Sequence, residues 1–565
     1  MTARTIPIVA APASRQRKRE APKGRVVDPQ ALEEVQALLG SASRSRDLLI
    51  EHLHKLQDRF GHLSARHLAA LAREMALAQT EVYEVASFYH HFDIVKEGDI
   101  APQALTVRVC DGLSCEMAGA KDLLARLPQI LGKDVRVIAA PCIGRCEQAP
   151  AVVVGQHPVP AASCEAVQAA VQAGQTTHQP QGFIDLTAYT AAVGYALLKQ
   201  CIGGEHEVET IIKAMESSGL RGLGGAGFPT GRKWRIVRNE VAPRLMAVNI
   251  DEGEPGTFKD RVYLERDPHR FIEGTLIAAW AAGISRIYLY LRDEYHGCRA
   301  MLEVELARLA AQPPCPGMPE IVLRRGAGAY ICGEESAMIE SIEGKRGMPR
   351  LRPPYVAQVG LFGRPTLVHN FETLYWVRDI LEKGGDWFAT HGRHGRKGLR
   401  SFSVSGRVKS PGVKLAPAGI TVQELIDEHC GGMQEGHTLY GYLPGGASGG
   451  ILPASMNQSP LDFDTLQLHG CFIGSAAVIV LSNHDTAVNA ARNMMRFFKD
   501  ESCGQCTPCR NGTAKASALI EQPRWDLPLL ADLSQVMRDA SICGLGQAAP
   551  NPIDCVVKYF PQELA

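Results

Sequence analysis

The 565-residue chain predicts a multidomain α/β protein, and three observations carry that prediction. Its length suits about four domains of ordinary size. Helical and strand patterns alternate along it, with changes of character near residues 104, 190, 400 and 484. Cysteines gather at 110–146 and 503–543 in spacings that suit metal sites better than a disulfide framework. Hydrophobic residues make up 45% and charged residues 21%, ample for buried cores.

Residues 1–25 read as a disordered basic tail: the Arg/Lys run over 15–25 is broken by Glu20 and Pro22, and no secretory apolar stretch precedes it. A transit peptide is the alternative, because the first 19 residues hold no acid. Residues 26–100 form a helical segment, with Leu48, Leu49, Ile50, Leu53, Leu56 and Phe60, then Leu68, Leu71, Met75 and Leu77, at helical spacing. Residues 101–171 change to a small α/β unit, with alternating strands at 105–109 and 135–138, a helix over 118–127 and a third strand at 151–154. The polar stretch within 172–189 is a linker. Residues 190–395 alternate helices with short strands at 245–249, 287–291 and 321–323, which predicts a Rossmann-like sheet with functional loops at strand ends. Residues 396–482 form a β-grasp-like insert with a helix near Thr421, and 483–565 form a helical bundle.

Lys+Arg and Asp+Glu number 60 each, so no basic excess supports nucleic-acid binding. The longest apolar run, 471–481, falls short of the roughly 18 residues a bilayer span needs, so it reads as core. Sixteen cysteines point to a reducing, cytoplasmic setting.

Cys503, Cys506 and Cys509 at two-residue spacing, with Cys543 remote, is how a chain wraps a 4Fe-4S cubane. Pro508 reads as part of a rigid loop there. Zinc competes, but zinc sites usually use two separated pairs. Cys110/Cys115 and Cys142/Cys146, each pair following a strand, suit a 2Fe-2S cluster with one pair per iron, and zinc competes more strongly here. The other eight cysteines are isolated in sequence and read as small buried residues. His90-His91-Phe92 reads as helix-end surface or core.

Three glycine-rich loops lie between the cysteine groups. Gly222-Leu-Gly224-Gly225-Ala-Gly227-Phe228 matches GxGxxG, yet it follows a helix where a dinucleotide turn needs a strand. Its open backbone and Lys233 suit a phosphate or flavin, and a plain loop is the alternative. Asn249-Ile-Asp251-Glu252-Gly-Glu254 offers hydrogen-bond acceptors at a strand's end, and a solvated acidic turn is the bland reading. Gly326-Ala-Gly328-Ala-Tyr330-Ile-Cys332-Gly333-Glu334-Glu335 repeats the formula with an aromatic ring. Nothing supports Ser-His-Asp hydrolysis or catalytic zinc. An electron-transfer enzyme and a zinc-stabilised scaffold without turnover are the two classes left.

These loops together with Cys503, Cys506, Cys509 and Cys543 closely resemble the NADH-oxidising flavoprotein subunit of respiratory complex I over about residues 190–550. Residues 26–160 resemble that enzyme's two-iron partner subunit, a helical segment plus a thioredoxin-like domain, here fused. The resemblance implies FMN contacts from Gly222, Gly224, Lys233, Asn249, Asp251, Glu252, Tyr330, Gly333, Glu334, Glu335 and Asn370. It places NADH near Gly225, Phe228, Glu254, Arg352 and Tyr355, with Glu254 and Glu335 positioning it and no acid–base residue needed. The chain departs from the family's paired asparagines, carrying His369-Asn370. The implied chemistry divides the two-electron hydride of NADH into single electrons for the clusters.

The same fused diaphorase occurs in NAD-dependent formate dehydrogenases and NAD-reducing hydrogenases. Pro141-Cys-Ile-Gly-Arg-Cys-Glu-Gln-Ala-Pro150 is most similar to the β subunit of molybdenum- or tungsten-containing formate dehydrogenases. That resemblance implies a catalytic α subunit as partner, with or without a further iron–sulfur subunit. Hydrogenase and complex I-type assemblies are the alternatives.

Overall fold

The computed structural model describes residues 24–564. Nearly all of the expected basic tail therefore lies outside the described residues. Helices Pro29–Leu39, Leu49–Phe60, Ala65–Glu74 and Gln79–Ala86 form the N-terminal segment. Leu49–Phe60 buries Leu49, Ile50, Leu53 and Leu56 on one stripe, the i, i+3, i+4 face its sequence announces. Leu48 instead ends the tight turn Arg46–Leu48 that leads into it.

The small α/β unit has a four-stranded sheet in the order Val135–Ala140, Leu105–Cys110, Val152–Val154, His157–Val159. The first pair is parallel and the others antiparallel. Its helix, expected at 118–127, runs Ala120–Leu131, because Gly119 with φ +97° breaks the chain ahead of it. The fourth strand escaped the sequence reading because Pro158 sits in its middle, an edge position that spares the proline a ladder bond.

The central domain holds a fully parallel sheet in the order Thr366–Asn370, Arg244–Ile250, Ile284–Leu291, Glu320–Arg325. Helices Pro268–Ala282 and His296–Ala311 make the crossovers between successive strands. The last strand returns to the opposite edge beside Arg244–Ile250, so the strand order reverses between Asn249 and Asn370, which are register partners. In open α/β sheets, ligands bind beyond the carboxyl ends of the strands at this reversal.

The insert is a mixed five-stranded sheet, Gly412–Pro417, Leu399–Gly406, Ala477–Ser482, Leu439–Leu443, Leu452–Pro453. The helix near Thr421 spans Val422–Glu424, begun by a Thr421/Glu424 capping box. Helices Ala487–Asp500, Thr507–Ile520, Leu527–Ala540, Gly544–Ala548 and Asn551–Tyr559 complete the chain. Pro508 lies in the first turn of Thr507–Ile520, not in a free loop, because that position needs no N–H. Two cysteines that are remote in sequence, Cys471 and Cys555, stand 3.5 Å apart at Sγ, so they are not isolated in space. Among the described residues, no helix is long and apolar enough to cross a membrane.

The N-terminal helices share one hydrophobic core with the central domain. Arg325 cements that union: it is 9% exposed and pairs with Asp58 of Leu49–Phe60 at 2.6 Å and with Asp293 at 2.5 Å. Removing one partner of such a pair strands the other charge. Asp58 is half exposed and Asp293 keeps His91 at 2.6 Å, so Arg325→Ala should cost roughly 1–3 kcal/mol of stability, read as a lowered Tm by scanning fluorimetry. An unchanged Tm would show that the helices dock without it.

Candidate flavin cleft and thiol sites

The three glycine-rich loops meet at the carboxyl rim of the parallel sheet. Gly222–Pro229 lies between helices Val208–Ser217 and Thr230–Arg238, the second of which carries Lys233, so a helix and not a strand precedes the loop. The loop folds on itself through Gly222 N–H to the Phe228 carbonyl (2.9 Å) and is pinned by Leu223 N–H to Thr373 Oγ1 (2.9 Å). A Cβ on Gly224 would lie 2.8 Å from Asn370 Cβ, so glycine is required where the loop crosses the next strand end. Lys233 is half-buried with Val368 O as its hydrogen-bond acceptor at 3.1 Å, and loss of water around it pushes its pKa down. Phe228 is 37% exposed at the mouth, with Arg232 and Lys233 near its ring face.

Asn249 ends the neighbouring strand, where its amide donates to Gly333 O at 2.8 Å and its oxygen accepts Asp251 N–H. Asp251 Oδ2 is buried with no partner among the described residues, and burial pushes this carboxyl well up. Glu252 behaves differently. Its carboxylate accepts Asp260 N–H (2.9 Å), Arg261 N–H (3.2 Å) and Tyr295 O–H (2.8 Å), so it braces the loop and does not offer free oxygens. Glu254 accepts Tyr330 O–H and Ser448 N–H (2.8 Å). Asn370 donates to Asp260 Oδ2 at 2.7 Å, and Glu334 caps Glu335–Ile342 through Ser336 and Ala337 N–H. Arg352 pairs with Glu334 and, at 3.0 Å, with Glu335. Tyr355 stands on the surface at 56% exposure.

The departure at 369 has a packing answer. His369 is buried, its Nε2 accepts the Trp234 indole N–H at 2.7 Å, and burial holds the imidazole neutral. Position 369 therefore serves the core, while Asn370 alone faces the rim.

Residues outside the expected set complete the cleft. Ser448 and Gly446 come from the insert, and a Cβ on Gly446 would lie 2.7 Å from Glu254 Cγ. The run Gly445-Gly446-Ala-Ser448-Gly449-Gly450 was the available signal. His91, Arg292, Glu294, Gly328 and Glu501 line a small pocket between the Asp251 and Tyr330 loops and Cys142. His91 is thus neither plain surface nor plain core. Burial opposes its charging, but Asp293 at 2.6 Å and Glu294 outweigh this and raise its pKa.

Cys503, Cys506, Cys509 and Cys543 line one cavity with Ile331, Ser502 and Leu545. Cys506 and Cys543 each sit at the N-terminal cap of a helix. Burial pushes the Cys509 thiol up to about 11 and Cys543 to about 12, so bound iron would be needed to keep them as thiolates. Cys110, Cys115, Cys142 and Cys146 are all buried, with the last two sulfurs 3.3 Å apart. Among the described residues, no group of three or more His, Cys, Asp or Glu closes on a point as a single ion requires. A cluster carries its own irons and sulfides and so spaces its thiols more widely.

The match with known proteins decides the family. The Nuo51 FMN-binding domain matches residues 215–379, the NADH-ubiquinone oxidoreductase-F iron-sulfur binding region 489–565, the thioredoxin-like 2Fe-2S ferredoxin 35–175 and the SLBB domain 401–452. A subunit of the NADH-quinone oxidoreductase of Rhizobium meliloti (strain 1021) is 40% identical over 68% of this chain and 94% of its own length. The chain belongs to the NADH-dehydrogenase flavoprotein family. The mitochondrial NADH dehydrogenase [ubiquinone] flavoprotein 1 of Dictyostelium discoideum is 41% identical over 63% of this chain and 78% of its own. An NAD+-reducing NiFe-hydrogenase chain in the H2-reduced state covers 92% of both chains at 33% identity and TM-score 0.81.

This flavoprotein is accordingly an oxidoreductase of the NADH-oxidising diaphorase kind, and its family's groups are FMN, 2Fe-2S and 4Fe-4S clusters. The residues present fit them: an orphaned Asp251 oxygen, a half-buried lysine in the helix that follows the glycine loop, and two gathered thiol quartets.

Burial, then the neighbouring Asp260, pushes Glu252 from 4.5 up to about 7. The folded protein therefore takes up a proton here, and the stability this provides is full below pH 4.5 and lost as the pH rises to about 7. Measured as Tm from pH 5 to 8, Glu252→Gln should gain on the wild type with rising pH. Parallel curves would refute a titrating Glu252.

Proposed function

We propose that this protein is the diaphorase arm of a cytoplasmic NAD-dependent formate dehydrogenase, exchanging electrons between NAD(H) and a catalytic subunit that carries molybdenum or tungsten. The observation that carries the reading is the Pro141–Pro150 wording around Cys142 and Cys146. The intact quartet Cys110, Cys115, Cys142 and Cys146, each at most 5% exposed, agrees with it. A hydrogenase arm is the second reading, favoured by the likeness to the NAD+-reducing NiFe-hydrogenase along 92% of the chain.

When bound, the flavin supplies the two-electron to one-electron conversion between NADH and the clusters. The chain's own residues then bind and orient. Gly222, Gly224 and Lys233 would hold the phosphate end, because the half-buried Lys233 ammonium has a neutral carbonyl as its hydrogen-bond acceptor. Asn249, Asp251, Tyr330, Gly333, Glu334 and Asn370 would meet the polar groups of FMN. Gly225, Phe228, Glu254, Glu335, Arg352 and Tyr355 would position NADH at the mouth. Cys110, Cys115, Cys142 and Cys146 would hold the two-iron cluster, and Cys503, Cys506, Cys509 and Cys543 the four-iron cluster. Glu252 supports this frame from behind.

The complex isolated through a tag on this chain decides between partners. Formate-dependent NAD+ reduction with molybdenum or tungsten is the expected result. Hydrogen-dependent reduction with nickel would sink the formate reading and leave the diaphorase standing.

Two substitutions test the residue roles. Lys233→Met should weaken FMN retention about tenfold to a hundredfold, the scale of one lost charge-assisted hydrogen bond, read by flavin fluorescence of the filtrate. Cys506→Ser should erase the four-iron EPR signal and leave the two-iron signal, whereas zinc in either quartet by elemental analysis would point to a scaffold.

A further inference from the structure

One buried cation joins the flavin cleft to the two-iron loop. Arg292 follows the strand Ile284–Leu291 directly and is 4% exposed. Its guanidinium donates to the Cys142 carbonyl at 2.7 Å and to the Glu252 carbonyl. It also grips Glu294 through Nε at 3.0 Å and Nη2 at 2.6 Å, and lies 5.1 Å from the centre of the Tyr295 ring. Cys142 belongs to the thiol quartet and Glu252 to the strand-end loop, so one side chain spans the boundary between them.

Arg261 and Tyr295 seal the same boundary, but their charges and dipoles are spent differently. Arg261 bonds Gly144 O at 3.0 Å while its charge is met by Glu147 and by Glu265 at 2.7 Å. The charge standing at the Cys142 backbone is that of Arg292, and its counter-charge is Glu294. Both line the small pocket with Cys142, and His91 Nε2 is 3.9 Å from Glu294.

Two carbonyls do not by themselves call for a cation. A neutral amide would satisfy them without the several kcal/mol that desolvating a guanidinium costs. The charge has a use if the quartet holds a redox centre, because reduction adds negative charge in a site of low dielectric. A nearby positive charge stabilises the reduced cluster and raises its midpoint, and a nearby carboxylate does the opposite.

We propose that the Arg292–Glu294 pair sets the reduction potential of the two-iron centre, Arg292 raising it and Glu294 limiting the rise, while the two carbonyl bonds hold the cluster loop against the flavin loop. The proposal rests on assigning the two-iron cluster to Cys110, Cys115, Cys142 and Cys146. Arg292 is a positioning and tuning residue; it is not expected to touch NADH.

The test is potentiometric EPR of the full-length chain as wild type, Arg292→Gln, Arg292→Lys and Glu294→Gln, following both cluster signals. Arg292→Gln should lower the two-iron midpoint, Glu294→Gln should raise it, Arg292→Lys should stay near wild type, and the four-iron midpoint should not move. Opposite signs report charge, since loosened packing would move both variants the same way. Shifts of one sign, or none, overturn the proposal. If Arg292→Gln loses its iron, Glu294→Gln and Arg292→Lys decide: a raised midpoint in the first with a native one in the second supports the pair, and any other result sinks it. A wild type without a two-iron signal is a separate failure, that of the cluster assignment.

Discussion

A buried carboxylate must be met by donors or lose its charge, and at Glu252 that constraint organises the site. Its oxygens take Asp260 N–H, Arg261 N–H and Tyr295 O–H, and its carbonyl takes Arg292. Three of these four residues go on to grip the loop Cys142–Cys146. Arg292 bonds Cys142 O and Arg261 bonds Gly144 O. Tyr295 packs so close to Gly144, at φ +70°, that a Cβ there would lie 2.4 Å from its hydroxyl oxygen. One acid therefore holds the strand-end loop and the two-iron loop in a single frame.

The third glycine loop plays the matching part on the other side. Tyr330 lines the cleft and bonds Glu254, while its neighbour Ile331 lines the four-thiol cavity. Tyr330 N–H donates to Glu501 Oε2 at 2.9 Å, just ahead of Ser502 and Cys503. The helix Ala487–Asp500 reaches back to the two-iron domain through Asn493 to Asp111 O (2.9 Å) and Arg496 to Glu116 (2.8 Å). Both thiol sites are thus locked to the cleft by short hydrogen bonds. Such rigidity suits a protein whose task is to position redox groups, since hydride and electron transfer need fixed distances more than proton donors.

The insert changes the meaning of the cleft. Its Ser448 and Gly446 close over Glu254, and Phe463 packs against Gly227 with Arg221 and Arg400 on its ring face. The insert thus adds a second wall to the sheet rim, and a hydrogen bond to a ligand counts for more where water is kept away.

Much of this was legible in the chain itself. Periodicity located the helix Leu49–Phe60, because burial of one face repeats at 3.6 residues, and short apolar runs located three of the four parallel strands, which are buried on both faces; Thr366–Asn370 went unread. Cysteine spacing marked both thiol quartets, and glycine density marked the three loops, because those residue types stand out in the chain whichever distant partners they meet. What sequence could not show were partnerships between distant positions. Cys471 meeting Cys555, His369 turning to Trp234, His91 entering the pocket beside Asp293, and Glu252 bracing its loop all depend on which elements the fold brings together. The sequence by itself determined the elements and the chemistry they carry. Only the tertiary structure decided which charges face each other, because burial and pairing are properties of the packed chain and of no single segment.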